Sequence, residues 1–248
     1  MSDDQWIGFL EKALWGLEQA AERLRDDDTR ARMELAGDWW RKAKTSGAMR
    51  GVEIPEETAV SSALQELFDE VCAEQEICGT GGMDLRHFHF HAERRRETDP
   101  NRGRMTKPTD IAIIFRAHEV YDLRVEAKTL VSEAEIASQY LSEHGLLRFE
   151  DAGNPYTTKP YGGMIAYVVQ DDTRTWADRV RTGLHSQFGE ARVAQVDIGT
   201  TKRMLSQHSY ESIKDGCRRI NKVAVVHLVA EIEARPSQRV PSSMVSRP

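Results

Sequence analysis

Asp110, Glu126 and Lys128 are the residues of this 248-residue chain whose types and spacing point most directly to chemistry. The run YDLRVEAKTL, residues 121–130, alternates polar and apolar. Successive strand side chains take opposite faces, so Arg124, Glu126 and Lys128 share one face while Leu123, Val125 and Ala127 share the other. An earlier apolar run, DIAIIF, opens with Asp110 and is separated from it only by RAHEV, which predicts a hairpin that carries Asp110 toward Glu126. Two carboxylates a few ångströms apart repel, and a divalent cation between them removes the conflict. Magnesium suits all-oxygen donors, with manganese as its substitute. Such an ion would bind a phosphate oxygen, lower the pKa of its water and steady the leaving oxygen, while Lys128 orients the water or offsets charge in the transition state. An acid-x-Lys tripeptide alone is weak in a chain with nine lysines and 40 acids. Its weight comes from its place at the end of an apolar strand, next to a strand opened by Asp110. The competing explanation is an exposed cross-strand ion pair with no chemistry.

The elements that must position these residues follow from hydrophobic period. Trp6, Phe9, Leu10, Ala13, Leu14 and Leu17 recur at helical spacing and predict a helix from about Asp4 to Leu24, interrupted by Asp26, Asp27 and Asp28. A second helix is predicted over Arg30 to Lys44, with Trp39 and Trp40 as packing anchors near its end and Gly47 as its stop. Val60, Leu64, Leu67 and Val71 form the buried stripe of a third helix, in which Ser62 and Gln65 fit a capping box. Period two then takes over at Leu85, where His87, His89 and His91 alternate with Phe88 and Phe90. After the hairpin, SEAEIASQYLSEHG predicts a helix from Ser132 to Gly145, YGGMIAYVV a fourth strand and DDTRTWADRVRTGLHSQF another helix. ARVAQVDIG is a short strand and NKVAVVHLVAEI a late one, rich in valine. The expected organisation is an N-terminal helical hairpin over residues 1–50, an α/β domain over 51–235, and a disordered tail over 236–248.

Pro108-Thr109-Asp110, Glu126-Ala127-Lys128 and the order helix, hairpin, helix, strand resemble the PD-(D/E)XK nuclease superfamily, over roughly Thr58 to Val169. Thr109, which separates the proline from the aspartate, is the one departure. The resemblance implies a restriction-endonuclease-like mixed β-sheet flanked by helices and magnesium-dependent phosphodiester hydrolysis. It also implies metal ligation by Asp110, Glu126 and the Ala127 carbonyl, with Lys128 beside the nucleophile. Many members add an acid from the preceding helix; of Glu66, Glu70 and Glu74, Glu70 best flanks the buried stripe. By family analogy the expected role is an endonuclease acting on DNA in restriction or phage defence. A catalytically silent subunit of the same fold, binding nucleic acid or a protein partner, is the alternative.

Charge distribution bears on partners. Residues 1–78 carry 18 acidic and 9 basic side chains, whereas residues 86–107 hold a local excess of four positive charges. Arg94, Arg96, Arg102, Arg104 and Lys107 are the expected phosphate contacts there, weighed against a merely solvated loop. Arg148, Lys159 and Tyr161 are further phosphate candidates, and Gly162-Gly163 would allow close backbone approach or a turn. His87, His89 and His91 could hold a transition metal. Asp178, His185 and Ser186 lack a nucleophile setting. Three unpaired cysteines, an acidic rather than basic-apolar start and no long apolar run predict a cytoplasmic protein without a membrane span. A homodimer, or a partner docked on the N-terminal helices, is also expected.

Overall fold

The computed structural model describes residues 3–35, 39–42, 52–74, 84–94, 109–115, 121–169 and 171–236. The chain begins with α1 (Asp3–Arg23), α2 (Asp27–Glu34), β1 (Trp40–Lys42), β2 (Val52–Pro55) and α3 (Glu57–Glu74). It continues through β3 (Phe88–Arg94), β4 (Thr109–Phe115), β5 (Tyr121–Leu130), β6 (Tyr161–Val168) and α4 (Thr173–Phe188). It closes with β7 (Val193–Ile198), β8 (Thr201–Lys214), β9 (Cys217–Glu231) and β10 (Arg235–Pro236). Seven strands form one mixed sheet in the order β3-β4-β5-β6-β9-β8-β7, and β1 and β10 flank β2 in a small second sheet. β3, β4 and β5 are an antiparallel meander; β5, β6 and β9 are parallel; β8 returns antiparallel between β9 and β7.

Both faces of the central strands are covered. On one face α1 and α3 pack Phe9, Leu14, Leu64, Leu67 and Phe68 against Ile111, Ile113, Leu123 and Val125. Burying each such side chain contributes roughly 1.5–3 kcal/mol, which explains why helical spacing in the first 24 residues was so readable. The expected helices at α1, α3 and α4 form, and Asp172 caps α4 by accepting the Thr175 N–H at 2.8 Å. On the other face, Tyr140, Leu146, Phe149 and Tyr156 join Trp176, Val180 and Leu184 of α4 over Leu130, Met164 and Ala166. Among the described residues no helix is long and apolar enough to cross a membrane.

Several expectations are corrected. The second N-terminal helix ends at Glu34, so the helical hairpin is one long helix and one short one. Its three acids begin it instead of preceding it: Asp26 accepts the Thr29 N–H, and Asp27 and Asp28 lie at the positive end of the helix dipole. Trp40 is in β1, whose partner on β2 lies a dozen residues on, a non-local pairing that outweighs local propensity. Ser62 caps nothing, because α3 begins at Glu57; Gln65 instead accepts the Ala92 N–H at 2.8 Å. Leu85–His87 is a 3-10 turn and β3 begins at Phe88. Of the helix expected over 132–145 only residues 134–140 are helical, and Ile136–Tyr140 of these form a π turn. A Cβ on Gly145 would overlap the Gln139 and Tyr140 carbonyls, which fixes the sharp exit from that turn. Gly162 and Gly163 mark neither a turn nor a substrate approach: they sit within β6, where Phe149 and Val125 fill the space a Cβ would need. Pro236 belongs to β10, paired with Val52, while residues 237–248 lie outside the described set.

Candidate active site

The site forms where two paired strands part. β4 and β5 are in register from Phe115–Tyr121 to Ile111–Val125, and there their pairing stops. Beyond that point β4 remains bonded to β3 and β5 to β6. The β5 backbone groups that had faced β4 therefore need other partners. Asp110 Oδ2 accepts the Ala127 N–H at 2.7 Å, and Glu57 Oε2 accepts the Thr129 N–H at 2.8 Å. A strand residue turns its N–H and C=O toward the same neighbour, so the Ala127 carbonyl faces this same gap.

Lys128 stands in the middle of the acids. Its ammonium lies 2.6 Å from Glu126 Oε1, 3.6 Å from Glu57 Oε1 and 4.0 Å from Asp110 Oδ2. Three carboxylates thus surround one ammonium, and Glu126 is only 5% exposed. The exposed ion-pair explanation does not describe this arrangement. Burial, followed by the Glu126 charge, raises the Asp110 pKa from 3.8 to about 7 against the opposing pull of Lys128 and the Ala127 N–H. Burial raises Glu126 as well, opposed by Lys128 and by a hydrogen bond from the Tyr156 hydroxyl. Burial lowers the Lys128 pKa, but Glu126, Glu57 and Asp110 outweigh it and leave the ammonium firmly charged.

A cleft of about 460 Å³ at the C-terminal end of β5 reaches Glu57 and Lys128 of this group, but not Asp110 or Glu126, and is also lined by Glu135, Ser138, Gln139 and His144. Ligands in open α/β sheets bind outside the carboxyl ends of strands, and this cleft has that position. Its wall is held by Glu135, whose Oε2 accepts the N–H groups of Val131 and Ser132 at 2.6 and 3.3 Å.

Asp110, Glu126, Lys128 and the Ala127 backbone are brought together. Glu70 is not: it lies 13 residues along α3 from Glu57, about 20 Å at 1.5 Å per residue, and pairs with Arg32 at 2.9 Å and Arg23 at 3.9 Å. Glu74 also pairs with Arg23, and Glu66 faces solvent. Glu57 is the helix acid of the site. Its signal was an acid in the first turn of the helix, just ahead of the apolar stripe used for orientation. Arg94 ends β3 with its backbone opposite Thr109, next to Asp110; Arg96, Arg102, Arg104 and Lys107 lie outside the described residues. Arg148 is engaged within its own loop, with Asp151 at 3.0 Å, the Asn154 carbonyl and the Tyr156 ring. Tyr161 packs against Trp6. Among the described residues, no group of three or more His, Cys, Asp or Glu side chains is arranged to hold a metal ion as it stands. For the histidines the reason is local, since His87 falls in the 3-10 turn, off the strand that carries His89 and His91.

A second polar group lies deeper, and its histidines had given no sequence signal. The Tyr140 hydroxyl meets His227 Nδ1 at 3.0 Å, and His227 Nε2 meets Ser206 Oγ at 2.7 Å. Ser206 Oγ meets His208 Nε2 at 2.6 Å, and His208 Nδ1 meets Glu150 Oε1 at 2.9 Å. Arg192 anchors Glu150. Glu150, His208 and Ser206 follow the order of a charge-relay triad, but Ser206 has no exposed surface and no substrate reaches it. The chain is a buried tie between the π turn and β8–β9.

Comparison with protein-family models, curated proteins and solved structures finds no match to this chain.

Proposed function

We propose that the protein is a magnesium-dependent nuclease of the restriction-endonuclease-like kind, hydrolysing phosphodiester bonds in DNA in the cytoplasm, with restriction or phage defence as its setting. The convergence of Asp110, Glu126 and Glu57 around Lys128, at the end where β4 and β5 part, carries this reading. The fit to a hard cation rests on the charge of the site. Three largely buried carboxylates face one ammonium, and burial together with the Glu126 charge raises the Asp110 pKa to about 7, a cost that an added cation would offset. Asp110, Glu126, Glu57 and the Ala127 carbonyl supply only oxygen donors, which favours magnesium or manganese over softer metals. Such an ion supplies Lewis acidity and a water of lowered pKa.

The chain's own residues do the rest. Lys128, charged and fixed by Glu126, offers an N–H donor to the attacking oxygen or to the charge gathering on phosphorus. Asp110, whose pKa burial and the Glu126 charge raise to about 7, gives up its proton more readily when positive charge is placed beside it. The Arg94 backbone pairs with Thr109, one residue from Asp110, and Arg94, Arg96, Arg102, Arg104 and Lys107 are the proposed phosphate contacts. The test is a magnesium-dependent cleavage screen against plasmid, linear and single-stranded DNA and RNA. Wild-type activity lost in Lys128→Ala supports the reading, and equal cleavage by the two rejects it.

One observation favours a catalytically silent subunit instead: Lys128 closes directly on Glu126 at 2.6 Å, so the ammonium itself neutralises the acid. Calorimetric titration separates the two. Magnesium or manganese binding that depends on Asp110 and Glu126 supports the nuclease, and its absence supports the silent subunit.

A further inference from the structure

β8 and β9 run together well past the rest of their sheet. β7 pairs with β8 only over Thr201–Ser206, and β6 with β9 only over residues 224–231, yet the β8–β9 ladder continues to Lys214 and Cys217. The extension is a two-stranded arm of roughly 25 Å at about 3.3 Å per residue. Its turn, Asp215-Gly216, has φ of 53° and 75°, the left-handed pair that a tight hairpin requires. The root of the arm is packed through His208, Tyr210 and Val223, but its outer half is exposed on both faces. There Ile213 and Ile220 are 81% and 68% exposed and lie diagonally on the same face, since Ile213 opposes Arg218 and Glu211 opposes Ile220. A bare two-stranded ribbon is marginal in water, and adjacent isoleucines on it mark a surface that is covered in use.

One other large apolar side chain among the described residues is as exposed: Leu35, 89% exposed at the end of α2. Leu35 follows α2, whose Arg30 lines a cleft of about 420 Å³ together with Glu22, Asp26, Glu231 and Glu233. The charges of the two places are opposite. Residues 210–222 carry four basic and two acidic side chains, whereas residues 22–34 with Glu231 and Glu233 carry seven acidic and four basic. They also sit at opposite ends of β9, Cys217 at the arm and Glu231 beside Arg25 at the corner, roughly 45 Å apart along the strand. Within one molecule they cannot meet.

We infer that a second copy of this chain covers the arm: two protomers lie antiparallel, each placing Ile213, Ile220 and Arg218 on the acidic Leu35 corner of the other. A two-fold arrangement gives two equal contacts and closes as a dimer. The inference does not depend on the metal site.

Sedimentation velocity on the full chain, without metal or nucleic acid, tests it at low and high salt. A dimer that weakens with salt is expected, with its dissociation constant raised about tenfold or more in both Ile213→Ser/Ile220→Ser and Leu35→Ser. Within the protomer these side chains face water, so circular dichroism should match wild type. A wild-type protein that stays monomeric at every concentration and salt overturns the inference, as does a dimer indifferent to both variants. Loss of DNA binding in the arm variant with oligomeric state unchanged also overturns it, by assigning the arm to nucleic acid. Because no metal is present, failure here leaves the nuclease reading intact, and loss of that reading leaves this result unaffected.

Discussion

Asp110 holds Ala127 by its main chain: the carboxylate takes an N–H that β4 no longer pairs. Asparagine keeps a carbonyl oxygen for that bond and removes the charge. Asp110→Asn is therefore expected to fold normally and to lose roughly 10²–10³-fold or more in magnesium-dependent cleavage. Circular dichroism with a cleavage time course checks both halves; unchanged cleavage would remove Asp110 from the chemistry.

Glu57 and Glu70 make opposite predictions. Glu57→Gln retains an acceptor for the Thr129 N–H but removes a carboxylate 3.6 Å from the Lys128 ammonium. Metal affinity should fall by roughly tenfold or more. Glu70→Gln, which loses only ion pairs with Arg23 and Arg32, should bind metal as wild type does. Parallel calorimetric titrations with manganese decide between them.

Metal binding should expel a proton. With its pKa near 7, Asp110 is largely protonated at roughly pH 6, and a cation placed against it favours the carboxylate. Titration in buffers of different ionisation enthalpy should show close to one proton released at that pH and fewer as pH rises past the Asp110 value. Release that does not change with pH would contradict the raised Asp110 pKa.

Acid should unfold this protein through His227. Burial lowers its pKa from 6.5 to about 3, with the His208 charge adding to the effect. A depressed pKa means that the unfolded chain takes up the proton first. The stability is complete above about pH 6.5 and is lost progressively toward pH 3, amounting to several kcal/mol. Melting temperature measured across this window should fall less steeply in His227→Gln, which retains polar contacts but does not titrate.

Gly162 tests the packing behind the site. A methyl group there would overlap the Phe149 ring, which forms the second core with Tyr156. Gly162→Ala should cost about 1–3 kcal/mol in urea unfolding. A neutral outcome would mean that this layer yields easily.

What could be read from the sequence depended on how local its cause was. Asp110, Glu126 and Lys128 were legible because a period-two run and a short hairpin fix their face and proximity. The meander, the fourth strand and α1 were legible for the same reason. Glu57 was missed because its place depends on where α3 begins relative to the far end of β5, 72 residues later. β1 was read as helix because its partner is distant, and β8 was missed because its residues are mostly polar and alternate weakly. Asp215-Gly216 was the available clue to that hairpin. The buried chain from Tyr140 to Glu150 joins three separate segments, and no window of sequence contains it.

Two main-chain amides, Ala127 and Thr129, are tethered to carboxylates rather than to a neighbouring strand. An N–H bonded to an ionised oxygen resonates far downfield, and it shifts when that oxygen gains a proton or a cation. The molecule thus carries its own gauge at the place of interest. Following these two resonances through a pH series or a magnesium titration would give the occupancy of each acid separately, without a substrate or a label.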